Sequence, residues 1–253
     1  MKIAIITGAS SGLGAEYVEA VKNRFNDTID EYWLIARREE RLKEVARKNG
    51  INARIFPLDL TDKNSISAIK QALTDSNAEV KLLINNSGFG KLGYFEDIGA
   101  LDNMAMSDLN VTAVNGITSV VIPSMKKGSF ILNVCSIASF APNPRMTVYC
   151  STKAYILSFT KSLRYELKRK GINVCAACPG PMDTEFLPVA GIGDGSSKTF
   201  DTLPRVNPKT MAIKSLKAAD KGKCVYTARL FYKFYRILAK ILPHNLIMPM
   251  SKT

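Results

Sequence analysis

Tyr149 and Lys153 lie four residues apart in Tyr149-Cys150-Ser151-Thr152-Lys153, inside a pattern that predicts a helix over 148–170. That spacing puts both side chains on one helix face. A free tyrosine titrates near 10, so bringing it close to 7 takes about 4 kcal/mol of preference for the phenolate. An ammonium about 4 Å away supplies about that much at an effective dielectric near 20. Such a phenol can act as acid in ketone reduction and as base in alcohol oxidation. Ser136, at the end of an apolar run, is expected to hydrogen-bond the substrate oxygen where negative charge develops. An isolated Tyr-x-x-x-Lys pair is usually surface decoration, so its meaning depends on what surrounds it.

Thr7-Gly8-Ala9-Ser10-Ser11-Gly12-Leu13-Gly14 follows the first apolar run and opens a helical pattern. Glycines there allow a sharp turn and let a pyrophosphate approach the free N–H groups of a helix N-terminus. The second apolar run ends Leu34-Ile35-Ala36-Arg37-Arg38. A carboxylate at this point would accept from a ribose 2′-hydroxyl, whereas an arginine pairs with a 2′-phosphate. Arg37 is therefore expected to select NADP(H), with Arg38 stacking on adenine or assisting. The other reading is an exposed, charged helix start continuing into Glu39-Glu40-Arg41.

The Thr-Gly-x-x-x-Gly-x-Gly spacing resembles the opening of the short-chain dehydrogenase/reductase family. Asn85-Asn86-Ser87-Gly88 is similar to that family's Asn-Asn-Ala-Gly, with Ser87 a departure. Asn110, Ser136, Tyr149 with Lys153, and Pro179-Gly180 follow in the family's order, so the resemblance spans residues 2–226. It implies a catalytic set of Asn110, Ser136, Tyr149 and Lys153. Asn110 would hold a water that relays protons to Lys153, and Lys153 would also bind the nicotinamide ribose. Cofactor contacts are implied for Gly8, Ser10, Ser11, Gly12, Leu13 and Gly14. Asp59, followed by Leu60, would meet the adenine amino group; Asn86, Ser87 and Gly88 would line the adenosine ribose. Pro179, Gly180 and Thr184 would lie toward the nicotinamide, Thr184 at its carboxamide. A homo-dimer or homo-tetramer is also implied.

Phe89, Phe140, Met146, Met182 and Phe186 fall at pocket positions and are all apolar. That favours a hydrophobic ketone or secondary alcohol (steroid, bile acid, acyl or aromatic carbonyl) over a sugar, although each residue is also a credible core residue. A cofactor-binding regulator without turnover is the rival reading. It would be expected to lack some of the four catalytic residues, and all four are present.

These residues must be positioned by apolar runs at 2–7, 32–36, 53–57, 81–85, 128–135, 172–178 and 223–226. Several, such as Ile3-Ala4-Ile5-Ile6, are apolar continuously, as strands buried on both faces require. Helical patterns such as 39–49 and 65–74 separate them. The expected fold is α/β: a Rossmann-type doubly wound parallel sheet of about seven strands with helices on both faces, in one domain over 1–253. Gly191, Gly193, Gly195, Ser196 and Ser197 make 183–205 read as a mobile substrate loop.

Composition narrows the class further. With 46% hydrophobic and 23% charged residues, the 253-residue chain can bury a full core. No apolar run reaches 18 residues, and five cysteines suit free thiols in a cytoplasmic setting. Cys175-Ala-Ala-Cys178 places its thiols on opposite strand faces, and His244 is the only histidine, so no metal site is expected. The net charge of +13 is concentrated: residues 205–253 hold eleven Lys/Arg against one acid, Asp220. Within 228–250, Leu230, Phe231, Phe234, Tyr235, Leu238, Ile241 and Leu242 recur at helical spacing, with Arg229, Lys233, Arg236 and Lys240 largely on the remaining arc. The segment either docks on its own protein or makes peripheral contact with an anionic membrane. No nucleic-acid-binding motif is present, and no nucleic-acid partner is expected.

Overall fold

The computed structural model describes residues 1–193, 195 and 197–251, and within them seven parallel strands form one sheet. They are β1 (Lys2–Thr7), β2 (Glu31–Ala36), β3 (Ala53–Pro57), β4 (Glu79–Asn85), β5 (Met125–Val134), β6 (Asn173–Cys178) and β7 (Val225–Thr227). Each expected run forms a strand, with β1 and β3 at the expected bounds and no end moved by more than three residues. The order is β3-β2-β1-β4-β5-β6-β7, so the winding reverses between β1 and β4 and opens a crevice at the carboxyl ends of those strands.

The helices are α1 (Gly12–Phe25), α2 (Glu39–Asn49), α3 (Lys63–Ser76), α4 (Ala100–Ser107), α5 (Ala113–Val121) and α6 (Thr147–Leu167). After β6 come α7 (Phe186–Val189), α8 (Lys198–Thr202), α9 (Pro208–Asp220), α10 (Leu230–Ile241) and α11 (His244–Ile247). Alternate residues of each strand point to opposite faces. Ala4, Ile6, Leu34, Leu82 and Leu132 pack with Tyr17 of α1, Leu42 of α2 and Leu216 of α9. Ile3, Ile5, Trp33, Leu83 and Ile131 pack with Ile69 of α3, Ile117 of α5 and Leu163 of α6.

A polar chain crosses the second of these cores. The Asn85 amide donates to Thr118 Oγ1 on α5 (3.0 Å) and to Asn133 Oδ1 on β5 (2.8 Å). Asn133 in turn donates to Thr160 Oγ1 on α6 (2.9 Å). Directional bonds between buried groups set α6 in register with the sheet, which apolar contact alone does less sharply. That register decides where Tyr149 and Lys153 emerge.

Residues 183–205 contain α7 and α8, and Ala190 O accepts from Leu92 N at 2.8 Å across the cleft mouth. Ser196 lies outside the described residues. Among the described residues, no helix is long and apolar enough to cross a membrane.

The C-terminal helix docks, but not through the expected face. Tyr232 and Ala239 are its buried residues, whereas Leu230, Phe231, Phe234 and Ile241 are exposed. The reason lies at Gly180: a Cβ there would come within 2.3 Å of the Tyr232 ring, so only a glycine admits this close seat. The Tyr232 hydroxyl donates to Pro204 O at 2.8 Å. Tyr232 thus fixes the rotation of α10, and the apolar stripe turns outward. Tyr232→Ala is expected to cost about 3–5 kcal/mol in urea unfolding, and Tyr232→Phe about 1 kcal/mol for the lost hydrogen bond.

Candidate active site

A cleft of about 910 Å³ occupies the crevice at the strand carboxyl ends. Its cofactor-side wall begins at the turn after β1. Gly8 (φ +65°) and Gly12 (φ +51°) lie in the left-handed region, which glycine enters without steric cost. A Cβ on Gly14 would sit 1.9 Å from Gly8 O, so α1 packs on the turn backbone to backbone. Gly14 therefore shapes the turn from behind and does not line the cleft. The Asn86 amide donates to Thr7 O (3.1 Å) and Gly8 O (3.3 Å), and Asn86 N donates to Thr7 Oγ1 (2.9 Å), lashing the end of β4 to this turn. Ser11 gives α1 no side-chain cap, so the helix presents free N–H groups beside Ser10, Ser11 and Gly12. This bare backbone at a positive dipole end fits a dinucleotide pyrophosphate.

Farther along that wall lie Arg37, Arg38, Asp59 and Leu60. Asp59 Oδ1 accepts from Thr61 N (2.9 Å) and Thr61 Oγ1 (2.8 Å). The Thr61 backbone bond, with the Arg37 charge assisting, holds the Asp59 carboxyl below its usual range. Arg38 departs from the stacking expectation. Its Nη2 donates to Ser11 Oγ (2.8 Å), Ser10 Oγ (3.3 Å) and Glu185 Oε2 (2.7 Å), bridging the two rims of the cleft. A carboxylate and two hydroxyls in reach hold the guanidinium away from a free stacking position. Ser87, Gly88, Pro179, Gly180, Thr184 and Leu13 complete this side.

The reactive groups sit where the two halves of the cleft meet. Lys153 is only 5% exposed, and its ammonium donates to Val134 O at 2.9 Å. Burial lowers its pKa. Gly88 makes room for it, since a Cβ there would lie 3.4 Å from Nζ and 2.8 Å from Asn110 Oδ1. Tyr149 is buried with its hydroxyl bonded to Ser136, and its ring packs on Phe186 at 5.6 Å between centroids. Burial raises the Tyr149 pKa, and the Ser136 bond only partly opposes it. The drop expected from Lys153 is therefore not delivered by these groups. The ammonium is 5.7 Å from the ring centroid and is bonded to Val134 O. Burial here favours the phenol form of Tyr149 over the phenolate.

Asn110 lies in a π-type turn (Asp108–Thr112) between α4 and α5 and is buried behind the cleft. Its Oδ1 accepts from Phe89 N (3.1 Å), and its Nδ2 donates to Phe89 O (2.9 Å) and Thr152 Oγ1 (3.1 Å). The side chain is thus engaged in joining the loop after β4 to α6, next to Lys153. A water relay through that side chain would have to compete with these bonds.

Of the expected substrate residues, Phe89, Met146, Met182 and Phe186 line the cleft. Phe140 does not; its ring turns away to pack on Tyr235 at 6.2 Å, under α10. The sequence reading missed Asn143, Leu187, Phe200 and Leu203 in the lining, and it did not give Phe231, Tyr235, Leu238, Leu242 and Ile247 of the C-terminal segment a place there. Helical spacing was the one signal that singled out most of the C-terminal group. Cys175 and Cys178 lie on opposite sheet faces, and burial pushes the Cys175 and Cys150 thiols up to about 12.

Residues 2–191 match the short chain dehydrogenase family, and the chain belongs to it. It is an oxidoreductase of that family. It is similar to sulfoacetaldehyde reductase 2 of Chromohalobacter salexigens, with 33% identity over 90% of this chain and 88% of that protein. It is also 33% identical to the very-long-chain 3-oxoacyl-CoA reductase of Rattus norvegicus, over 97% of this chain and 75% of that one. Among solved structures, a short-chain dehydrogenase from Sphingobium yanoikuyae in complex with NADPH superposes with a TM-score of 0.78. It is 26% identical and covers 96% of this chain and 97% of its own.

The Asn110 bonds generate a direct test. Asn110→Ala leaves the Phe89 N–H and C=O without their side-chain partner, and about 1–3 kcal/mol of stability should be lost in urea unfolding.

Proposed function

We propose that the protein transfers a hydride between NADP(H) and the carbonyl or carbinol carbon of a hydrophobic ketone or secondary alcohol. The observation that carries this reading is the convergence of Ser136, Tyr149 and Lys153 between the glycine turn and an apolar wall. Gly8, Ser10, Ser11, Gly12, Leu13, Asn86, Ser87 and Gly88 would hold the cofactor's adenosine and pyrophosphate. Pro179, Gly180 and Thr184 would hold its nicotinamide end. When bound, the nicotinamide supplies or accepts the hydride.

Tyr149, a neutral phenol, gives its proton to the carbonyl oxygen during reduction. The Ser136 hydroxyl donates to the same oxygen as negative charge gathers there. Lys153, while protonated, would place its ammonium nearby and lower the cost of the phenolate left behind. Asn110 acts as a positioning residue through Phe89 and Thr152. The 183–205 segment, with Phe186 and Leu187, would cover the substrate. Apolar lining by Phe89, Met146, Met182 and Phe186 supports a bulky carbonyl of steroid, bile acid, acyl or aromatic type. The rat relative, named for a very-long-chain 3-oxoacyl substrate, is consistent with the acyl choice. The relative named for sulfoacetaldehyde acts on a smaller, anionic aldehyde, for which this lining is less suited.

Arg37 and Arg38 would pair with the 2′-phosphate, and Glu185 would have to share Arg38 with it. NADPH should therefore be preferred to NADH by about ten- to a hundred-fold, and Arg37→Asp should reverse the preference. Equal kcat/KM with both cofactors in the unmodified protein would overturn the assignment.

Tyr149→Phe should lower kcat for NADPH-dependent ketone reduction by about 10²–10⁴-fold while leaving NADPH binding by fluorescence titration close to unchanged. Burial raises the Tyr149 pKa, so the phenol stays protonated through neutral pH. Reduction should then hold its rate across that range. Alcohol oxidation needs the phenolate and should accelerate as pH rises, which initial rates in both directions will test.

A further inference from the structure

The seat of α10 uses Tyr232, Tyr235 and Ala239, and the helix leaves an arc of large apolar side chains exposed. Leu230, Phe231, Phe234, Ile237 and Ile241 are between 54 and 80% exposed, and Leu246 of α11 adds a sixth exposed apolar side chain. At 100° per residue, the five on α10 fall within an arc of about 120°. Scattered exposed apolar residues are ordinary on any surface, but a contiguous strip of large ones marks an interaction site. Lys233 and Lys240 border this arc, both exposed, and neither is in an ion pair among the described residues. From Lys221 to Thr253 the chain carries seven Lys/Arg and no Asp or Glu.

We propose that this ridge of α10 and α11 docks on an anionic lipid surface. Its apolar side chains enter the boundary between headgroups and acyl chains, and the bordering lysines meet lipid phosphates. Charge selects this occupant over a second copy of the chain. A two-fold interface sets the same patch against itself, so the cations of both copies would meet with no carboxylate from 221–253 to answer them. An anionic bilayer answers all of them. A 12-residue helix, about 18 Å long, lies in the interface plane and does not span it. Phe231, Tyr235, Leu238 and Leu242 line the cleft, so the cleft wall and the lipid-facing ridge adjoin along one flank of α10. The inference goes beyond the proposed hydride transfer and does not depend on it.

Cosedimentation of the full-length protein with vesicles tests it. The expected result is binding to equimolar phosphatidylcholine–phosphatidylglycerol vesicles at low salt, loss at high salt, and little binding to phosphatidylcholine alone. Lys233→Ala and Lys240→Ala should each weaken binding about five-fold. The triple variant Phe234→Ser, Ile237→Ser, Ile241→Ser should weaken it about ten-fold or more with an unchanged urea midpoint, because none of the three is buried. Absence of binding to anionic vesicles, or binding that the triple variant retains, overturns the proposal. So does a dimer in sedimentation velocity that the triple variant converts to monomer while neither protein binds vesicles; that result would assign the ridge to a second copy.

Discussion

A lysine ammonium buried at the carboxyl ends of the strands is the constraint around which the site is arranged. A charge removed from water must find compensation nearby. Lys153 finds it at Val134 O, the last carbonyl of β5. The neighbouring space is kept open by Gly88, and the loop carrying Gly88 is held by Asn110 through Phe89. Tyr149 and Ser136 share the same enclosed ground. Burial that disfavours the ammonium also disfavours the phenolate, so the two groups are pushed toward neutrality together.

Such a site holds its geometry only if the helix beneath it cannot slide. The chain from Asn85 through Asn133 to Thr160 supplies that restraint about two turns along α6 from Lys153. On the cofactor side, the restraint is steric. Gly14 brings α1 and the turn closer than any Cβ would permit, Gly8 and Gly12 give the turn its left-handed backbone, and Asn86 ties that turn to β4. The two halves of the cleft are therefore set by different physics: buried hydrogen bonds under the reactive groups and bare backbone under the nucleotide cradle.

Glu185 and Tyr232 connect those halves to the periphery. Glu185 reaches Arg38 and Arg41 from the segment after β6, so a surface ion-pair cluster spans the cleft where an anionic cofactor group would compete for it. Tyr232, seated on Gly180, makes α10 part of the cleft wall. The same rotation leaves its apolar stripe exposed, with Lys233 and Lys240 beside it.

Local pattern carried much of this in the sequence itself. Ile3-Ala4-Ile5-Ile6 and Leu82-Leu83-Ile84 are apolar without alternation because both strand faces are covered, and that signal needs no knowledge of the partners. The glycine turn and the Tyr149–Lys153 spacing are legible for the same reason: each is a short-range geometry that only certain residues allow. The sequence by itself thus determined the strand–helix alternation, the doubly wound sheet and fewer than half of the residues that line the cleft. Tertiary structure alone decided the rest. Arg38 meets Glu185 across 147 residues, Phe140 turns from the cleft to Tyr235, and the Asn110 turn widens to a π form engaged with Phe89 and Thr152. Periodicity names the apolar stripe of α10, but only the Tyr232–Gly180 contact says which way it faces. Each of these depends on contacts between distant segments, where packing and desolvation choose among partners that local spacing leaves equivalent.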